Sequence, residues 1–560
     1  MTDWSEGYMT EMEYVYTYHS HLNPLHMHLA MLSAGYLPRA VSTACELGFG
    51  QGISLNMHSA SSSVSWYGTD FHPGHAVFAM GLAEASGAHC RLFDQSFMEF
   101  CSRPDLPDFD FIVLHGIWSW ISDANRTVIV DFVRRKLKPG GVLSISYNTL
   151  HGWSAMLPMR DLLTEHSRRM SAPALDMASR IDGALKFVDS LMTASPNYSA
   201  SHPQIVARLA KMKSADRSYV AGEYFSHDWN PMPFSDVAHT LSAAKLEFAC
   251  TATYGDHVDA VRLTQPQQAL LQTIADPHFR ETVRDFCLEQ PFRKDYWIKG
   301  GEKLTPHERI EALYAQRVVL VCPAENVRLF AGMTNGEPPI NAVEGKRLLN
   351  ALADHKPHSL IDLMRHTGHG GMTLNRVLNF VLIMAGQSYL QSAQDDGVIS
   401  TAIGTGAALR LNMALMQKAS IGRSVSYLAS PVTGGGVPVA RYYQLFLLAR
   451  AEGFSSPTEW AQIAWRHLDA QGEHVDHSAS GDRELADVLS DLVHQAQAAG
   501  HKDPQIWAKT TLEFLQENGH EPFESKSAPL SAEEQISELI ARAKVFADRH
   551  LPILIILGVV

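Results

Sequence analysis

The sequence predicts an α/β fold built on a mainly parallel sheet. Three observations carry this reading. Short apolar runs alternate with helical patterns through the first 150 residues, as strand–helix–strand units require. The stretch Cys45-Glu46-Leu47-Gly48-Phe49-Gly50-Gln51-Gly52 places glycines at alternate positions directly after the first apolar run, where they let backbone approach a ligand. Asp70 ends the second run, 20 residues after Gly50, a position from which an acid reaches ribose hydroxyls in crevice-binding α/β folds.

The elements follow in order. Val41–Leu47, Val64–Asp70, Cys90–Asp94, Phe109–Gly116 and Val142–Tyr147 read as five strands, and Lys138-Pro139-Gly140-Gly141 as the turn feeding the fifth. Residues 154–220 are helical throughout, a helical insertion placed to act as a lid. Phe234–Ala244 reads as a helix, and Leu246–Tyr254 with Ala260–Thr264 as two late strands, giving a seven-stranded first domain over 1–265. A middle segment spans 266–335. Residues 336–400 form a compact block of three helices and a strand at Ser388–Gln391, resembling a winged helix; its third helix, Thr373–Ala385, offers only Arg376 as a cation and reads as a packing element. Residues 401–560 are mainly helical, broken by a loop at Ser430–Pro438, with a capping box at Ser531-Ala532-Glu533-Glu534 and a buried terminal run from Leu551 to Val560.

Composition narrows the function. The 560 residues carry a formal net charge of −13, which argues against nucleic acid as a partner because phosphates need a basic field. The six cysteines show no Cys-x-x-Cys spacing and read as reduced thiols. His366-Thr367-Gly368-His369 reads as a loop, so no metal is expected. The N-terminal "MTDWSEGYMTEMEY" is acidic and lacks an apolar core, and the last apolar run is too short for a bilayer, which needs about 20 residues. A cytoplasmic protein without a membrane span is expected; its oligomeric state is not legible.

The glycine loop is not a dinucleotide or phosphate loop. Position 53 is Ile where a dinucleotide fold wants glycine, and no Gly-Lys-Ser/Thr follows. Glu46 would repel phosphate but suits a ligand carrying an ammonium or sulfonium. Together, Glu46-x-Gly48-x-Gly50-x-Gly52, Asp70 and the Pro139-Gly140-Gly141 turn resemble the class I S-adenosylmethionine-dependent methyltransferases, with their Rossmann-like seven-stranded sheet. The resemblance implies that Gly48, Gly50 and Gly52 pass under the methionine part of the cofactor with Glu46 close by, and that Asp70 holds the ribose. It places the adenine near Asp94, Ser96 and Phe97, although the family's usual Asp is replaced by Ser96. His115 would also line the cofactor.

A narrower resemblance rests on Tyr18–Gly35, His115–Trp120, Tyr147–Trp153, Tyr219–Phe234 and Asp276–Gly300. These stretches resemble bacterial proteins that join such a domain to a methyltransferase regulatory domain, among them rickettsial lysine methyltransferases acting on outer-membrane proteins; the resemblance makes the middle segment 266–335 the regulatory-type part. The fourth strand ends in His115-Gly116-Ile117-Trp118-Ser119-Trp120, not in the Asn/Asp-Pro-Pro-aromatic motif of amide and exocyclic-amine methyltransferases. Tyr18, Trp118, Trp120, Tyr147 and Trp153 suggest an aromatic acceptor mouth, which tolerates cations and desolvates a lysine. His115 and Tyr147 are candidate catalytic groups, and Asn148 a candidate acceptor contact. Glu223, Tyr224, Asp228 and Trp229 would pack the insertion against the site. The expected activity is methyl transfer from S-adenosylmethionine, leaving S-adenosylhomocysteine, to a protein lysine. A small molecule or biosynthetic peptide is the alternative acceptor, and a non-catalytic cofactor-binding module the second alternative.

Overall fold

The computed structural model describes residues 16–172, 174–226, 228–329, 341–366, 372–422, 425–475 and 530–560; the N-terminal acidic stretch and Thr367 to His369 lie outside them. Seven strands form the central sheet: β1 (Thr43–Leu47), β2 (Ser65–Asp70), β3 (Cys90–Asp94), β4 (Phe109–Leu114), β5 (Leu137–Asn148), β6 (Leu246–Thr251) and β7 (Phe292–Lys299). Their order is β3-β2-β1-β4-β5-β7-β6. The first five run parallel, and β7 lies antiparallel between β5 and β6. The order reverses between β1 and β4, which opens a crevice at their carboxyl ends. Apolar side chains fill both faces, with Trp66 and Tyr296 in one core and Phe109, Trp118 and Trp297 in the other.

Three expectations are corrected here. Ala260–Thr264 is not a strand: Asp259–Arg262 forms a helical turn, and the seventh strand is Phe292–Lys299. The sheet therefore ends at Lys299 rather than near residue 265. The run "FRKDYWIK" was obscured because its charges are paired in the interior: Arg293 bonds Asp295 at 2.8 Å, Asp285 at 2.7 Å and Glu281 at 2.8 Å. The segment 430–438 is not an open loop. Strands β11 (Tyr427–Ser430) and β12 (Gly435–Pro438) make a hairpin there, because Gly435 and Gly436 pack flat against Tyr18, Asn23 and Met57. The fifth strand also starts earlier than expected, at Leu137, with the Pro-Gly-Gly stretch absorbed as an irregularity in its pairing to β4.

The insertion after β5 is a set of short helices between Leu150 and Phe225 with its own core of Trp153, Leu163, Ile181, Leu185, Leu209 and Tyr224. The helices Ala342–Leu352, Leu360–His366 and Leu374–Gly386 surround a small antiparallel sheet of β8 (Arg317–Leu320), β9 (His358–Ser359) and β10 (Leu390–Ser392), in order β10-β8-β9. The third helix is buried along Val377, Phe380, Val381 and Met384, and Arg376 pairs with Glu344 at 2.6 Å. The C-terminal helices brace the cofactor side of the sheet: Ala407–Ala419 packs on Pro73–Ser86 and Ile53–Ser61, and Arg410 donates to the Ser86 carbonyl at 3.0 Å. The terminal run is buried at Ile553, Leu554, Leu557 and Val559. Among the described residues no single helix is long and apolar enough to cross a membrane; the bent pair Asp396–Thr405 and Ala407–Ala419 passes by length and composition, at 58°.

Candidate functional site

The glycine loop is held open by backbone that only glycine adopts readily. Gly48, Gly50 and Gly52 have φ of 75°, 55° and 66°, and a Cβ on Gly48 would run into the Ile117 side chain. The loop is fastened to the end of β2. Gly48 donates to the Thr69 carbonyl at 2.8 Å, and the Gly50 amide donates to Asp70 Oδ2, also at 2.8 Å. Asp70 Oδ1 accepts from the His72 amide at 3.0 Å and lies 3.2 Å from His75 Nδ1. Asp70 thus organises the loop as well as facing the cleft.

A cleft opens beside the glycine loop at the carboxyl ends of the strands. The loop residues Glu46, Gly48 and Gly50 line it with Asp70 and His75, and so do Ser96, Phe97, Ile117 and Trp120, together with His19 and His115. Glu46 is buried, and its Oε2 has no hydrogen-bond partner among the described residues. Burial first, and then the neighbouring charge of Asp70, push its carboxyl up to about 8. An orphaned carboxylate beneath a glycine loop fits a ligand that brings its own cation. The S-adenosylmethionine expectation passes this test.

The expected cofactor and acceptor residues separate. Glu46, Gly48, Gly50, Asp70, Ser96, Phe97, His115 and Trp120 line the cleft; Gly52 and Asp94 do not. Ser96 Oγ is engaged in a capping box with Glu99, so its side chain serves the helix Phe97–Cys101. Trp118 is sealed in the sheet core, because the short turn Trp118–Trp120 turns its ring inward and exposes Trp120 to the cleft. Tyr147 also points away: its hydroxyl donates to Asp295 Oδ2 at 2.8 Å, and burial with the Asp295 charge drives its pKa far up. It is not positioned for chemistry in the cleft. Tyr18 bonds His58 Nε2 at 3.1 Å and packs on Tyr427. Trp153 belongs to the insertion core, donating to the Pro291 carbonyl at 3.1 Å under Arg208. Of five expected mouth aromatics, Trp120 alone lines this cleft.

Beyond β4 and β5 lies a group of side chains that sequence reasoning divided. His115 Nδ1 is 3.0 Å from His21 Nε2 and 3.0 Å from Ser146 Oγ. The His19 ring centre is 3.8 Å from that of His115. Burial, followed by the positive charge of Lys294, brings His19 down to about 3. Burial likewise depresses His21 and His115, with neighbouring rings and Lys294 adding to it. Lys294 faces Ser146 across the β5–β7 pair. Asn148 donates from its amide to Ser119 Oγ at 2.8 Å, and its side chain reaches Glu223 Oε1 at 3.5 Å. Burial raises Glu223 to about 7. The pair His19-Ser20-His21 was the available sequence signal, but its partner lies 94 residues on in the chain.

The description "predicted methyltransferase regulatory domain" matches residues 216–299. That stretch supplies β6 and β7, so it completes the central sheet rather than standing apart from it. The Synechocystis protein sll1526 is 38% identical over 478 residues, 84% of this chain and 92% of its own length. The Rickettsia prowazekii protein RP028 is 29% identical over 216 residues, 37% of this chain and 82% of its own. PKMT2 from Rickettsia typhi, solved in complex with AdoHcy, superposes with a TM-score of 0.59 at 16% identity, covering 88% of this chain and 98% of that one. The chain belongs to the family of the Synechocystis protein, and its fold is the class I methyltransferase fold completed by a methyltransferase regulatory domain.

Proposed function

We propose that this protein is an S-adenosylmethionine-dependent methyltransferase whose acceptor is a lysine side chain of a protein. The observation that carries the methyl-transfer reading is the unpartnered Glu46 carboxylate under a positive-φ glycine loop that Asp70 closes. The cofactor supplies a methyl group already activated on a sulfonium, so the protein needs alignment and water exclusion more than a covalent catalyst. Glu46 would meet the cofactor's ammonium, Asp70 would hold its ribose, and Phe97 and Ile117 would pack on its adenine.

The lysine reading rests on the acceptor side and on the resemblance to rickettsial lysine methyltransferases. A lysine must arrive neutral, since its nitrogen lone pair attacks. Buried imidazoles such as His19, at about 3, are too weak as bases to take a proton from an ammonium. Desolvation beside Trp120 and the like charge of Lys294 instead lower the acceptor's own pKa from about 10.4, and the proton leaves to solvent before the site closes. Glu223 and Asn148 can then hold the nitrogen's remaining hydrogens.

Incubation with methyl-labelled cofactor and a whole-cell lysate tests this. Label mapped to lysine supports the reading. Label confined to small molecules moves the acceptor to that class, and no label with intact cofactor binding leaves a binding module.

A further inference from the structure

The methyl-transfer reading leaves the three imidazoles without a task, although they border the cleft. We propose that His19, His21 and His115 form a three-nitrogen site for one divalent late transition metal of the zinc class, open towards the cleft. Their ligand nitrogens lie within 4.8 Å of one another. The closest pair, His21 Nε2 and His115 Nδ1, is 3.0 Å apart, near the roughly 3.3 Å that two imidazoles keep at about 2.0–2.1 Å from a tetrahedral ion. His19 joins them by a side-chain rotation, and it precedes the short turn Ser20–Leu22. The backbone beneath is fixed: the His19 amide donates to Ser54 Oγ at 2.9 Å, and Tyr296 donates to the His21 carbonyl.

The donor set selects the metal class. Three uncharged imidazoles suit zinc, cobalt, nickel or copper and not magnesium or calcium, which take oxygen ligands. Binding exchanges the hydrogen bonds that His21 and Ser146 make to His115 Nδ1 for metal bonds. His21 lies behind and His19 with His115 at the cleft wall, so the fourth position faces the acceptor side. An ion there would anchor an oxygen or nitrogen donor of the acceptor beside the methyl group. That role rests on the methyl-transfer reading; metal binding itself does not. Lys294 opposes a dication as it opposes ring protonation, which keeps the affinity below that of a closed structural site.

The test uses the full chain, stripped with chelator and titrated with Co²⁺ and then Zn²⁺. One Co²⁺ per chain should bind with the strong visible bands of a four- or five-coordinate nitrogen site. Zn²⁺ should displace it. His19→Ala and His21→Ala should each weaken Zn²⁺ by 100-fold or more, and Lys294→Met should tighten it several-fold. Far-UV circular dichroism and thermal melting of the same samples report that the variants are folded, and S-adenosylhomocysteine affinity of the wild type tests the cofactor reading separately. The absence of these bands in the wild type, or unchanged Zn²⁺ affinity in both histidine variants, overturns the proposal.

Discussion

The proposed cofactor side of the cleft draws mainly on Glu46 to Phe97, with Ile117 added from beyond β4, whereas the proposed acceptor side joins His19, His115 and Trp120 of the cleft lining to Asn148, Glu223 and Lys294, which do not line it. The first half is a strand–loop–helix unit repeated once, with its acid and glycines within 24 residues of each other, Glu46 to Asp70. The second is assembled by strand order, by the helices inserted after β5, and by β7 arriving from the regulatory stretch. Ligand affinity is thus built locally, and acceptor chemistry depends on the completed sheet. The two halves should fail separately when mutated.

The largest effect is expected at Asp70. Asp70→Ala removes both the proposed ribose contact and the anchor of the Gly50 amide. A charge-assisted hydrogen bond contributes about 1.5–3 kcal/mol, so S-adenosylhomocysteine affinity should fall by about 10- to 100-fold. Isothermal titration reads this directly. Unchanged affinity would detach the loop from the cofactor.

The converse variant is Lys294→Gln. It should leave S-adenosylhomocysteine affinity within about threefold, but raise the acceptor's apparent pKa by about one unit. Single-turnover methylation at pH 8 should drop about tenfold and recover as pH rises, because more acceptor is then neutral. A loss that persists at high pH would place Lys294 in packing and not in acceptor deprotonation. Replacing Trp120 with Ala should move the profile in the same direction by a smaller amount, as water returns to the cleft.

A smaller effect, several-fold in hydrogen exchange, is expected in the insertion. Its core is separate from that of the sheet, and it meets the acceptor half through Asn148–Glu223 and Trp153–Pro291. Exchange over 154–220 should slow when cofactor and acceptor bind together and change little with cofactor alone. Equal protection in all states would make the insertion a fixed wall.

This contrast also explains what could be read from sequence. The glycine loop, Asp70 at the second strand end and the positions of the first five strands were legible because each signal sits in one window. Trp118 and Tyr147 misled because adjacent aromatics on a turn or strand point to opposite sides, and sequence does not say which side is the cleft. β7 was hidden by Arg293, Lys294 and Asp295, charges that a strand tolerates inside only with partners brought from Glu281 and Asp285. His21 meets His115 only after the sheet has formed. No single-window pattern encodes such a meeting.

Glu46 offers the most direct measurement of the central claim. In the folded protein without ligand its carboxyl titrates near 8 against 4.5 for the free side chain. The folded state therefore holds a proton between those values that the unfolded state lacks, and the ionised form costs stability as pH rises through this window. A cofactor ammonium should reverse that by ionising Glu46. Titration calorimetry with S-adenosylhomocysteine at pH 7, repeated in buffers of different ionisation enthalpy, counts the proton. The account predicts release of roughly 0.9 proton per chain from the wild type, the protonated fraction one unit below the titration midpoint, and none from Glu46→Gln. No binding, or binding with the same proton count in both proteins, would contradict it.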